Sequence, residues 1–193
     1  MRTYKLSACI AIVCLLTILP VYAQDNEGQM QPLKEFGTRY EYSKAGFSIV
    51  FPFGWKESEI GRDNVVCAAF SPPDRATGVS VNVVVAATEL SAGEDLDSRF
   101  SNIMEELSNL GDMCSIVDTG SSHINELPSR IIVYKQTMEE HQFLARITVL
   151  VENGIEYRIG SFATPATYEL FKSYFTDIES SFTLIPAENG SEQ

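Results

Sequence analysis

The feature that most constrains this chain is a pair of apolar runs either side of Asn153-Gly154: Phe143–Val151 (FLARITVLV) and Ile155–Phe162 (IEYRIGSF). Two such runs, rich in Ile and Val and joined by Asn-Gly, read as a β-hairpin, which commits its neighbourhood to an antiparallel sheet. Which side chains share a face sets the register. A two-residue turn would pair Glu152 with Ile155 and set Val151 and Val149 beside Glu156 and Arg158. A three-residue loop, Glu152-Asn153-Gly154, pairs Val151 with Ile155, Val149 with Tyr157 and Ile147 with Ile159. Only the second gathers apolar side chains on one face, so the expectation is a type I turn with Gly154 left-handed in a G1 bulge.

Further strands and two helices surround this hairpin. Tyr40 and Tyr42 alternate with polar residues, Lys44-Ala45-Gly46 turns, and Phe47, Ile49 and Phe51 alternate on the way back until Pro52 and Gly54, with Trp55 just beyond. Trp55 reads as a core plug at the sheet's end rather than a ligand platform. Asn64–Phe70, the Val79–Val85 alternation and Arg130–Thr137 predict three more strands. Leu96, Phe100, Ile103, Leu107 and Leu110 recur at helical spacing, and Gly111 sits where a C-terminal cap belongs. Thr164-Pro165 supplies an N-cap and a first-turn proline for a second helix carrying Tyr168, Phe171, Phe175, Ile178 and Phe182. Short turns between neighbouring strands make the sheet antiparallel. The expected class is α+β, a central antiparallel β-sheet covered by helices.

The ends read differently. Arg2 and Lys5 precede an uncharged apolar stretch, Leu6–Leu19, broken by Pro20 and followed by Val21-Tyr22-Ala23, which is the pattern of a cleaved secretory signal over residues 1–23. Residues 24–38 form a polar lead-in, 39–185 the domain and 186–193 a polar tail. Cleavage leaves no stable membrane span and takes the net charge from −12 to −14. Such acidity excludes a nucleic-acid binder, which needs clustered basic side chains. Localisation is therefore expected to be extracytoplasmic: periplasm, thylakoid lumen or secreted. Cys67 and Cys114 remain after cleavage, and either a disulfide between them or two free thiols fits the sequence.

No catalytic motif emerges: GxSxG, GxGxxG, a Walker A loop and HExxH are all missing from the sequence. Glu139-Glu140-His141 is the nearest approach to a metal site, but adjacent residues on an extended segment point to opposite sides, so a solvated turn is the better reading. His123 lies in a polar stretch that reads as a loop or strand edge. Asp95 and Asp97 sit where acidic side chains favour a helix N-terminus, and Glu105-Glu106 is placed on that helix's wet face. No catalytic, cofactor or metal residue is assigned, and no enzyme activity is expected.

The segment Gly46-Phe47-Ser48-Ile49-Val50-Phe51-Pro52-Phe53-Gly54-Trp55 resembles the GFSF-x-YP-x-GW opening of the PsbP family, the extrinsic oxygen-evolving-complex proteins of photosystem II and their bacterial relatives. The similarity continues through Val79–Val85, Phe143–Val149, Asn153-Gly154 and Tyr157 to Ser181-Phe182, over residues 40–185. The same features suit DcrB-like periplasmic proteins, and a nuclear Ran-binding protein shares the fold; the signal segment speaks against that nuclear branch. The resemblance implies a PsbP-like α/β/α sandwich and a non-enzymatic accessory or binding role with a protein partner in the envelope or thylakoid lumen. By resemblance alone, calcium or manganese is the ion to consider; a periplasmic metal- or small-molecule-binding protein is the alternative. The chain departs from many cyanobacterial members in lacking a correctly placed lipobox.

Overall fold

A computed structural model describes residues 37–185, apart from 63, 74–77, 79 and 139–140. The signal segment, most of the lead-in, the tail and the Glu139-Glu140 pair lie outside the described residues. The elements run β1 (Thr38–Tyr42), β2 (Phe47–Phe51), β3 (Lys56–Arg62), β4 (Val65–Phe70), β5 (Asn82–Glu89), α1 (Leu96–Ser108), β6 (Cys114–Ile124), β7 (Leu127–Met138), β8 (His141–Glu152), β9 (Ile155–Ala163), α2 (Pro165–Ser181) and β10 (Thr183–Leu184). Seven strands form one antiparallel sheet in the order β3-β4-β5-β9-β8-β7-β6, and β1-β2-β10 form a second.

Each face of the large sheet is covered. On one side α2 and the small sheet enclose Phe47, Ile49, Phe51, Val83, Val85, Tyr157, Ile159, Phe175 and Phe182. On the other, α1 covers Val84, Ala86, Ile103, Leu107, Ile132, Tyr134, Ile147, Val149 and Phe162. The expected α+β arrangement with helices on both faces is what the chain adopts. Two apolar faces follow from the strands themselves: along β5 Asn82, Val83, Val84 and Val85 are all buried, so alternation assigns them to two cores rather than to core and solvent.

Several local signals translate directly. The Tyr40/Tyr42 and Phe47/Ile49/Phe51 alternation is the β1–β2 hairpin, with Tyr42 opposite Phe47 and Gly46 left-handed at φ 73° in its turn. Thr164 caps α2, its side chain accepting from the Thr167 N–H, and Pro165 follows as the first helical residue. Tyr168, Phe171, Phe175 and Ile178 on α2, with Phe182 just beyond, are buried in one stripe. Trp55 packs its ring 6.4 Å from that of Phe171, the plug position read from the sequence. Helix α1 ends earlier than its stripe suggests: Asn109 is the C-cap, and Gly111, at φ 58°, opens a single 3-10 turn instead of capping the helix.

The hairpin register corrects the expectation. Glu152 pairs with Ile155, Val151 with Glu156, Leu150 with Tyr157, Val149 with Arg158 and Thr148 with Ile159. The turn is the two-residue Asn153-Gly154, both left-handed at φ 52° and 74°, as in a type I′ turn. The three-residue loop followed from requiring apolar side chains to share one face. With both faces covered, Glu156 and Arg158 are buried, and Val149 lies beside Arg158 because Glu156 on the same strand, with the more distant Glu106 of α1, partners its charge.

One glycine sets a steric limit. A Cβ on Gly37 would lie 1.7 Å from the Phe51 carbonyl oxygen and 2.5 Å from the Pro52 carbonyl carbon, both backbone atoms. Gly37→Ala is expected to lower stability by about 1–3 kcal/mol through displacement of β1. Urea titration checks this; an unchanged midpoint would mean the segment before β1 shifts without disturbing the pairing.

Candidate functional site

The densest group of charges lies beneath α1. Asp95 caps the helix: its carboxylate accepts from the Ser98 N–H at 2.8 Å, and Ser98 Oγ accepts from the Asp95 N–H at 2.9 Å. One turn in, Arg99 points at the sheet, its Nε donating to Glu156 Oε2 at 2.6 Å and its Nη1 to Glu94 Oε1 at 3.0 Å. The other oxygen of Glu156 accepts from Arg158 Nε, so one carboxylate is held between two guanidinium groups. Glu156 is fully buried and Arg158 is 3% exposed. Arg158 Nη1 also faces Glu106 Oε2 at 3.9 Å, an oxygen that is buried without a hydrogen bond of its own. Asp97 accepts from Arg130 Nε at 3.1 Å, and the Arg130 guanidinium lies 5.8 Å from the Phe100 ring centre.

Electrostatics follow the geometry. Glu94 is held below its ordinary pKa by the Ser91 backbone N–H and then by Arg99. For Asp95 the Ser98 backbone N–H lowers the carboxyl in the same way. Burial works against the charge on Arg99, yet the hydrogen bond and charge of Glu156, with Glu94, raise its pKa overall. The result is a closed ion network joining α1 to β9.

Beneath α2 lies a second, smaller arrangement. Arg146 on β8 forms a two-pronged bond to Glu179, Nε to Oε1 and Nη2 to Oε2, each 2.8 Å. Ser161 stands opposite Arg146 on β9, and Thr148 follows Arg146 on the same face of β8. With Ser129 on β7 these make a diagonal of hydroxyls, each buried and without a hydrogen-bond partner among the described residues. At the margin of this core Tyr42 Oη donates to Glu57 Oε1 at 2.6 Å.

The cysteines are both free. Cys67 is buried in the core under α2, whereas Cys114 packs at the edge of the core under α1, so the sheet stands between them. Of the two readings open in the sequence, the structure has the free thiols. Burial pushes the Cys67 thiol from its ordinary 9.0 up to about 12. Burial also raises Cys114. The folded state therefore keeps the Cys67 proton longer than the unfolded chain does. Its contribution to stability is complete below pH 9.0 and is lost as pH climbs from there through about 12. At about pH 8, iodoacetamide is expected to leave Cys67 unmodified in the folded protein and to alkylate it after denaturation. Mass spectrometry checks this; rapid alkylation of the folded state would show that the core opens there.

The residues singled out by sequence do not converge. His123 is exposed on β6, and His141 is exposed at the first residue of β8; their partners Pro128 and Met138 lie at opposite ends of β7. Among the described residues no three His, Cys, Asp or Glu side chains come together as a metal site would need. Glu105 faces solvent as expected, but Glu106 turns inward toward Arg158, which corrects its placement on the wet face. The network residues Arg99, Arg146, Glu156, Arg158 and Glu179 carried no family motif. The available signal was Glu156 and Arg158 two apart in an apolar run, where opposite charges share one strand face.

No family model matches the sequence, and no curated protein matches it in sequence. Solved structures do match. The solution structure of cyanobacterial PsbP (CyanoP) from Synechocystis sp. PCC 6803 is 17% identical, with a TM-score of 0.57 over 81% of this chain and 98% of that one. LpqN of Mycobacterium tuberculosis, involved in cell envelope biogenesis, is 10% identical with a TM-score of 0.62, over 80% and 88%. The Saccharomyces cerevisiae Ran-binding protein Mog1p is 9% identical with a TM-score of 0.54, over 77% and 95%. Among the described residues no helix is long and apolar enough to cross a membrane. In architecture, as its Gly46–Trp55 segment implied, this chain has the PsbP-like fold.

Proposed function

We propose that this chain is an exported, non-catalytic accessory module that binds a protein partner in the envelope or thylakoid lumen. The observation that carries the reading is the use made of buried charge. Glu156 and Glu179, the deeply buried carboxylates among the described residues, are each clamped by arginine inside the fold. Carboxylates so held serve packing and register, while a general acid or base needs a pKa set near its working pH and a free face toward substrate. The signal pattern at residues 1–23 and the likeness to LpqN and cyanobacterial PsbP agree with an extracytoplasmic setting. Photo-crosslinking of the mature chain in its native envelope is the test. A stoichiometric adduct with one protein is expected, and turnover of substrates without any adduct would overturn the reading.

A second reading, a periplasmic small-molecule binder, draws on the unpartnered hydroxyls of Ser129, Thr148 and Ser161. Thr148→Val with Ser161→Ala separates the two: the pair would abolish small-molecule binding and leave crosslinking to a protein unchanged.

A further inference from the structure

The two ends of the large sheet are built differently. At one end β3, KESEIGR, carries four charged residues in seven and pairs with an irregular register, features that keep other strands from adding to an edge. At the other end β6, CSIVDTGSSHI, is eleven residues long with Asp118 as its one carboxylate, and it contains neither lysine nor proline. Among the described residues no strand lies beyond β6. A register irregularity between Ile116 and Asp118 leaves Val117 unpaired, and from Asp118 to Ile124 the pairing with β7 is regular. Asn125-Glu126, left-handed at φ 46° and 72°, closes a two-residue turn that makes Ile124 and Leu127 a hydrogen-bonded pair. Alternation then turns Ser122 and Gly120 inward and points the N–H and C=O groups of Thr119, Ser121 and His123 to the open edge. Consistent with that, the Thr119 N–H is taken up by the Asp118 carboxylate, at 2.9 Å, rather than by β7.

Two further observations say what fits there. Two of the four large apolar residues exposed among the described residues, Met113 (57%) and Val117 (53%), lie at the start of this edge, the others being Phe53 and Leu170. Charge along the edge is mostly negative: Asp112 precedes β6, Asp118 lies within it and Glu126 follows, while Arg130, bonded to Ser121 Oγ, is paired with Asp97, in a chain of net charge −12. Like charge opposes a second copy of this chain.

We infer that β6 is a docking edge for an extended, cationic segment of another protein, which adds as an eighth strand. Its backbone bonds to Thr119, Ser121 and His123, its basic side chains face Asp118, and an apolar residue packs on Met113 and Val117. This rests on the binding-module reading above and names the surface used.

The probe is a capped peptide of alternating lysine and valine, titrated into the full mature chain, with a glutamate-for-lysine peptide as control. The lysine peptide is expected to bind, to weaken with salt and to protect the Ser121 and His123 amides from exchange. His123→Pro removes an outward N–H without touching the β7 ladder and should weaken binding about tenfold or more. Asp118→Lys should invert the preference between the two peptides and keeps the test open if the proline variant fails to fold. Equal binding of both peptides, protection elsewhere, or a dimer of this chain that His123→Pro dissolves would each overturn the inference. A crosslinked envelope partner whose capture ignores both variants would overturn the docking edge while leaving the binding-module reading standing.

Discussion

Glu156→Ala is expected to cost about 3–5 kcal/mol of stability, because it leaves the buried Arg158 guanidinium and the half-buried Arg99 guanidinium without the carboxylate between them. Arg99 reaches Glu156 from α1 at 2.6 Å and Arg158 reaches it along β9, so one truncation strips both. Arg99 keeps Glu94, and Arg158 keeps the more distant Glu106. Chemical denaturation followed by circular dichroism measures the loss. Replacing Glu156 and Arg158 together with Leu and Met should recover much of it, because the desolvation of the charges disappears with them. A loss below about 1 kcal/mol for Glu156→Ala would show that both arginines find water, and that α1 is held by its apolar stripe alone.

Phe182→Ala should be of similar size, about 3–5 kcal/mol, for a different reason. Phe182 is fully buried at the end of α2, its ring 5.1 Å from that of Phe47 and 5.3 Å from that of Tyr157. Those three rings come from the helix end, the small sheet and the large sheet, so a cavity there loosens three elements at once. Hydrogen exchange should show it: amides of β1 and β2 lose protection before those of β8 and β9. Phe182→Leu, which refills most of the volume, should retain most of the stability. Uniform loss of protection across both sheets would mean that the small sheet has no separate opening.

What was readable in the residues depended on whether local pattern or distant contact decided the outcome. The β1–β2 hairpin and the Thr164-Pro165 start of α2 are local, and each stands where periodicity and capping place it; the α1 stripe does so only as far as Ser108, short of Leu110 and the Gly111 cap. Strand β3 went unread because an edge strand with exposed charges, KESEIGR, shows no apolar alternation. Strand β6 reads as a loop or strand edge because its Thr119–His123 stretch is polar throughout. Pairing apolar neighbours gives the wrong register at Asn153-Gly154, because the ion network makes Val149 and Arg158 compatible. Within that network the Glu156–Arg158 pair is local, but the link to α1 is invisible to any local rule, since Arg99 and Glu156 are 57 residues apart. Asn-Gly itself was the better guide, as the dipeptide most suited to two successive left-handed residues.

The separation of the free thiols carries a consequence for the order of events during folding. Once the large sheet has closed, Cys67 and Cys114 lie on opposite sides of it, and no intramolecular bridge forms without taking the sheet apart. In the exported setting proposed above, the danger is confined to the interval before closure, when the two thiols share one flexible chain. A bridge made then is a trap that no later packing can repair, only a reductant or an isomerase. For a chain of this design, completing β4 and β5 ahead of the oxidant matters as much as the stability finally reached.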